Sequence, residues 1–254
     1  MIARNQEEIE LMRIAGKMTG AVLKYAESLI RPGISTLYLD KMIKRFIIEN
    51  GGTPAFLNYQ GYPASACVSL NDVVVHGIPR DNVILQEGDI VSVDVGVIYK
   101  GYNGDAARTF PVGKISPEKQ KLIDVTKQCF YEGISKLHIG GRLGALSHAI
   151  QTYAESNGFS VVRELVGHGI GRDMHESPNV PNYGKENSGM IIPENIFLAV
   201  EPMINLGRRE IYIEDDGWTI RTADGLPSAH YENTILVTKD GIEILTLYEG
   251  ENNV

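Results

Sequence analysis

The sequence predicts an α+β protein made of two related halves, each a pair of helices followed by antiparallel strands. Three observations lead there. Helix signals cluster at 5–50 and again at 116–158, and strand-like runs follow each cluster, at about 66–112 and 160–247. A shift of 107 positions lays Leu39, Ile43, Phe46, Asn50 and Gly51 on Leu146, Ile150, Tyr153, Asn157 and Gly158. The same shift lays "IVSVD" (90–94) over "FLAVE" (197–201), so Asp94 falls on Glu201. A period this long excludes a solenoid. The expectation is one domain over 1–254 with an internal repeat, approximately 5–112 and 116–247.

Each element has a local reason. Asn5 caps a helix over 5–30 that carries Glu7 and Glu8 in its first turn and stops at "RPG" (31–33). A second helix runs from a Thr36 cap to Asn50 and closes at Gly51 and Gly52. Ser116-Pro117-Glu118 opens a third, and a fourth ends at Asn157-Gly158. Among the later strands, "KDG" (239–241) marks a hairpin turn.

Composition narrows the function class. The chain has 254 residues, 43% of them apolar and 22% charged, as in ordinary soluble domains. A net charge of −8 with a pI near 5.3 argues against a general nucleic-acid or anionic-membrane binder. The start, "MIARNQEEIE", has no apolar core like that of a signal peptide, and no run is long enough to span a bilayer. Cys67 and Cys129 lie far apart without metal-type spacing, so reduced thiols in a cytoplasmic protein are expected.

The chemistry concentrates in acidic residues placed on strands. In 90–97, Val91, Val93, Val95 and Val97 share one face, while Ser92, Asp94 and Gly96 line the other. If Lys100-Gly101 is a two-residue turn, Asp105 lies opposite Gly96 and Asp94 opposite Ala107, which puts both aspartates on one face. A slip of one residue would separate them. Glu201 and Glu232 each sit at an Ile/Leu/Val-rich strand, and the glycine-rich "GHGIGRDMHESP" (167–178) presents His168 and His175. That loop lacks the G-x-G-x-x-G spacing of a dinucleotide site. Alone, a strand Asp is ordinarily a solvated edge residue and a lone His an ordinary hydrogen-bonded one. Four converging carboxylates are different. Each like-charge pair about 4 Å apart costs on the order of 4 kcal/mol at an effective dielectric near 20, so convergence requires cations. Carboxylates with an imidazole and no thiolate suit hard or borderline divalent ions.

At these residues the chain resembles the pita-bread metallopeptidases, most closely the short bacterial form of the type I methionine aminopeptidases. The resemblance covers nearly the whole chain and rests on "NDVVVHGIP" (71–79), "DVGVIYKGYNGD" (94–105), "GHGIGRDMHESP" (167–178), "EPM" (201–203) and "SAHYENT" (228–234). It implies a fold of two pseudo-symmetric halves enclosing a dinuclear metal centre. Carried over by position, it implies Asp94, Asp105, His168, Glu201 and Glu232 as metal ligands, with Asp105 and Glu232 bridging, Asp94 completing one ion, and His168 with Glu201 the other. The ions would be Co, Mn or Fe(II), with Zn a further candidate.

The resemblance also implies roles around the metals. Glu201 would take a proton from the nucleophile, His175 would hydrogen-bond the carbonyl oxygen, and His76 would assist the leaving amide nitrogen. Tyr59, Tyr62, Cys67 and Trp218 match the family's methionine pocket. Met174 stands where an aromatic is usual and Phe56 where a smaller residue is common, while His230 and Asn233 replace the usual Gln and His. The implied substrates are peptides and nascent chains with N-terminal Met and a small second residue. The ribosome surface is a candidate partner; a monomer is expected, with no membrane and no specific nucleic-acid sequence. An X-prolyl aminopeptidase or prolidase of the same fold is the alternative enzyme, and a non-catalytic pita-bread binding protein the alternative outside enzymes.

Overall fold

The computed structural model describes residues 1–251; the last three residues of the expected 1–254 domain lie outside the described residues. The first half opens with α1 (Gln6–Leu29) and α2 (Thr36–Glu49). The Asn5 side chain accepts the Glu8 N–H at 2.9 Å, so the expected cap of α1 is present. For α2 the cap is Ser35 rather than Thr36: the Ser35 hydroxyl accepts the Tyr38 N–H at 3.1 Å. Thr36 is the first helical residue, and its hydroxyl accepts the Arg80 N–H at 2.8 Å and donates to the Arg80 carbonyl at 3.0 Å. Two adjacent hydroxyls are equivalent to local reasoning; a tertiary contact separates them.

Strand Ile90–Tyr99 lies between Ala66–Leu70 and Tyr102–Pro111, antiparallel to both. Val91, Val93, Val95 and Val97 are fully buried, packed with Val22, Leu23 and Ala26 of α1 and Leu39, Ile43 and Ile47 of α2. Each such side chain contributes about 1.5–3 kcal/mol of burial. Lys100 and Gly101 form the two-residue turn, with φ of 47° and 82°. Positive φ at both central positions is the type I′ geometry that matches strand twist. Gly96 pairs with Asp105 and Asp94 with Ala107, the register anticipated from the turn.

The second half repeats the plan with α3 (Pro117–Ile134) and α4 (Gly144–Ser156). Ser116 caps α3, its hydroxyl accepting the Lys119 N–H at 3.3 Å. Strand Ile196–Val200 is central here, between Gly167–Gly169 and Asn233–Thr238. Leu146 and Ile150 of α4 are fully buried, as are Leu39 and Ile43 at the matching positions of α2. Lys239 and Asp240 turn the chain between Thr238 and Gly241. All strand pairings among the described residues are antiparallel. No helix among them is long and apolar enough to cross a membrane.

The halves are joined by backbone pairing at the acidic positions. The Glu232 N–H donates to the Ala107 carbonyl at 2.9 Å, and the Ala107 N–H donates to the Glu232 carbonyl at 3.4 Å. The Asp105 N–H donates to Thr234 Oγ1 at 3.0 Å, which in turn donates to the Asp105 carbonyl at 2.9 Å.

Candidate metal centre and substrate cavity

A strand pair, two strand ends and one short strand bring five titratable residues to this seam. Asp94 and Asp105 project from the same face of their hairpin, as the alternation requires. Glu201 follows the Ile196–Val200 strand, Glu232 precedes Asn233–Thr238, and His168 sits in Gly167–Gly169. His168 Nδ1 lies 2.9 Å from the Gly169 carbonyl. That contact suits an Nδ1–H donor and leaves Nε2 free, 3.7 Å from Asp105 Oδ2 and 3.8 Å from Glu201 Oε1. Ligand atoms of Asp105, His168 and Glu232 lie within 4.8 Å of one another, and so do those of Asp94, His230 and Glu232. Glu232 belongs to both groups.

The electrostatics are those of several carboxylates buried side by side. Asp105, His168 and Glu232 are buried, and Asp94 is partly so. Burial, followed by the repulsion of Asp105 and Glu201, holds the Asp94 carboxyl well above its ordinary range. Burial and then Asp105 do the same to Glu201; Glu232 is raised by burial and by Asp105, Glu201 and Asp94. Burial pushes Asp105 up to about 7. The histidines move the other way: burial, then the neighbouring His175, lowers His168 to about 4, and burial lowers His230 to about 3. Asp94 Oδ1, Asp105 Oδ1, Glu232 Oε1 and both ring nitrogens of His230 are buried without a hydrogen-bond partner. Unpartnered buried oxygens beside neutral imidazoles are the donor set that a pair of divalent ions would satisfy.

A cavity of about 300 Å³ opens over this floor, walled by Phe56, Tyr59, Tyr62, Cys67, His76, His175 and Trp218. Tyr59 Oη lies 2.8 Å from His175 Nδ1, and the rings of His168 and His175 are 4.2 Å apart. Tyr62 packs edge-on to Trp218 at 5.1 Å, its hydroxyl donating to the Ala66 and Gly77 carbonyls at 3.2 and 3.1 Å. Trp218 is held from behind by Asp216, whose Oδ1 accepts the Trp218 N–H at 2.9 Å. Cys67 lies directly across from Asp94 in the strand pair. Both cysteines are free and buried, and burial raises both thiols. His76 adopts φ of 58°, a left-handed conformation costing a non-glycine residue about 1–3 kcal/mol. Its imidazole is lowered to about 4, by burial and then by His175.

Met174 does not line the cavity. It is buried beside Phe56, where a Cβ on Gly96 would stand 2.7 Å from its Cε and 2.8 Å from Phe56 Cε1. Gly96 is therefore small because Met174 and Phe56 occupy the space above it.

Two features of the site escaped the sequence reading. His230, singled out there only as a departure, points into the acidic cluster. Its signal was present, since residues 230 and 232 lie two apart, as same-face neighbours do in extended chain. The second is Arg108, buried on the valine face of its strand. Its Nη1 donates to the Ala107 carbonyl at 2.9 Å and to the Glu232 carbonyl, and its Nη2 to Asn233 Oδ1 at 2.7 Å. Nε and Nη2 also pair with Glu251 at 2.6 and 3.0 Å. No local pattern announces a partner 143 residues away.

Comparison with known proteins places this geometry. Residues 10–239 match metallopeptidase family M24. The methionine aminopeptidase of Clostridium perfringens is 50% identical over 247 residues, 97% of this chain and 99% of that protein. Methionine aminopeptidase 1 of Bacillus subtilis is 46% identical, covering 97% and 99%. The crystal structure of methionine aminopeptidase from Rickettsia prowazekii superposes with a TM-score of 0.95 at 42% identity, over 97% of this chain and all of that one. A prolidase from Pyrococcus furiosus shares the fold alone, with a TM-score of 0.79 at 22% identity over 98% of this chain and 66% of that one.

Proposed function

The chain belongs to metallopeptidase family M24 and has its pita-bread fold, and from that premise we propose that it is an aminopeptidase hydrolysing the N-terminal methionine from peptides and nascent chains. One observation carries the reading: carboxylates from both halves converge, with unpartnered buried oxygens, at the floor of a cavity with aromatic walls. Asp94, Asp105, His168, Glu201 and Glu232 would hold two divalent ions, drawn from Mn, Fe(II) and Co with Zn a further candidate. When bound, such ions polarise the scissile carbonyl and make hydroxide available near neutral pH.

The chain's own residues do the rest. Glu201, a carboxylate at the floor of the cavity, receives the proton of the nucleophile. His175 accepts the Tyr59 hydroxyl at Nδ1, which turns an Nε2–H towards the oxygen on which charge develops. His76, neutral and fixed in a strained conformation, assists the leaving amide nitrogen. A cavity of about 300 Å³ has the volume to take the first residue of a peptide over the acidic floor. Phe56, Tyr59, Tyr62, Cys67 and Trp218 would receive the methionine thioether, and the second residue would have to be small. A cytoplasmic monomer acting near the ribosome surface is the setting this reading carries.

The test compares Met-Ala, Met-Leu and Leu-Ala peptides after chelation, with Mn, Fe(II) or Co added back. Met-Ala should be strongly preferred, activity should return only with metal, and Glu201→Ala should abolish it. Equal turnover of Leu-Ala would sink the pocket assignment. Cleavage of an X-Pro dipeptide but not Met-Ala-Ser would restore the prolidase alternative.

A further inference from the structure

Resting on the dinuclear reading above, we propose that His230 is itself a metal ligand, giving the Asp94 side of the centre a nitrogen donor beyond the five residues the resemblance implies. Its backbone leaves the ring little freedom. The His230 N–H donates to Thr109 Oγ1 at 2.9 Å, Thr109 Oγ1 donates to the His230 carbonyl at 2.9 Å, and His230 pairs with Met203 in the sheet. The side chain is 2% exposed and lies in the acidic cluster with both ring nitrogens unpartnered. A neutral imidazole carries one donor and one acceptor, and burying such a group unsatisfied costs about 1–3 kcal/mol.

The distances are wrong for hydrogen bonds and right for coordination. His230 Nε2 lies 3.8 Å from Oε2 of the shared Glu232, within the group it forms with Asp94, and 3.7 Å from Oε2 of Glu201 in the neighbouring ion's set. Donors bound at about 2.1 Å to one ion stand roughly 3.0–4.2 Å apart, from adjacent to opposite positions. The two ligand groups also have the same composition. Asp105 with His168, and Asp94 with His230, each place one aspartate and one imidazole beside the shared Glu232. Without His230, the Asp94 group would offer oxygen alone, a set suited to Mg or Mn. With it, each ion has one nitrogen, which favours Fe(II), Co or Zn at both positions and brings their affinities together.

The alternative is that His230 only positions Glu201 and Glu232. X-ray absorption on the full chain, stripped by chelation and loaded with two equivalents of Co(II), separates the two because it counts imidazoles around cobalt. The expected count is about one imidazole per cobalt in the natural protein and about one per two cobalt ions in His230→Gln, with the weaker cobalt equivalent bound at least about 10-fold less tightly in the variant. One imidazole per two cobalt ions in the natural protein would overturn the assignment while leaving the dinuclear centre standing. Failure of the natural protein to bind cobalt at all would overturn both. The natural protein's count decides by itself should the variant not fold.

Discussion

Replacing Glu251 by alanine should cost far more than the loss of a surface carboxylate ordinarily would. Its carboxylate meets the Arg108 guanidinium at 2.6 and 3.0 Å, and the two side chains are only 6% and 4% exposed. The Tyr231 hydroxyl adds a third bond to Glu251 at 3.0 Å, and the guanidinium lies over the Tyr231 ring at 4.1 Å. Removing one member of a buried pair leaves an uncompensated charge, at about 3–5 kcal/mol. Coulomb's law at an effective dielectric near 20 gives a similar figure, about 4 kcal/mol at 4 Å. For a chain of this size each kcal/mol lowers Tm by roughly 2–4 °C, so Glu251→Ala should melt about 6–20 °C lower by calorimetry. The paired change Arg108→Met with Glu251→Leu removes both charges and should recover most of the loss, because apolar replacements of buried pairs are often neutral. A single-variant loss under about 2 °C would mean that Arg108 reaches water without Glu251, and would refute the buried latch.

Without metal, the protein should lose stability as pH rises from 6.5 to 8, because Asp105, near 7, and the raised Asp94, Glu201 and Glu232 hold protons in the folded state that the unfolded chain has released. His168 and His76 near 4 and His230 near 3 oppose this only below the ordinary histidine value of 6.5, so a chelated Tm that stays level above it, measured against metal-loaded protein, would count against the carboxylate cluster. Gly96→Ala should destabilise by about 1–3 kcal/mol in urea titrations, since its methyl would meet Met174 and Phe56 inside 3 Å, whereas a glycine in an open strand would gain from the change. Asp216→Ala removes the acceptor of the Trp218 and Thr219 N–H groups and should raise KM for Met-Ala several-fold with kcat little changed; an equal fall in kcat and kcat/KM would place Trp218 in the chemistry instead.

Legibility followed the range of the interactions. The Asp94–Asp105 register was readable because a two-residue turn and strict alternation both act within the 90–111 hairpin, and each constrains the other. The caps at Asn5 and Ser116 were readable for the same reason, as side chain and N–H are three residues apart. Thr36 was misread because Arg80, distant in sequence, takes its hydroxyl. The Arg108–Glu251 pair lay beyond reach, since burial on the valine face is decided by what folds over it. Met174 shows the converse: its motif position was readable, yet its packing over Gly96 beside Phe56 was not, because that contact joins residues distant in sequence.

A fold of two halves also bears on why the acidic cluster does not defeat folding. Neither half holds either ligand group on its own: Asp94 depends on His230 and Glu232, and Asp105 on His168 and Glu232. Within each half at most two of these acidic side chains are present, Asp94 with Asp105 and Glu201 with Glu232. The full repulsion arises only when the seam closes, where Ala107 pairs with Glu232 and Asp105 with Thr234. The same closure brings Arg108 behind the Glu232 carbonyl, a fixed positive charge that lowers the Glu232 carboxyl while burial raises it. Burial dominates that contest, which leaves the seam with a demand for cations that one guanidinium cannot meet. Metal binding and the docking of the two halves are on this account one event, and any change that loosens the seam should weaken both together.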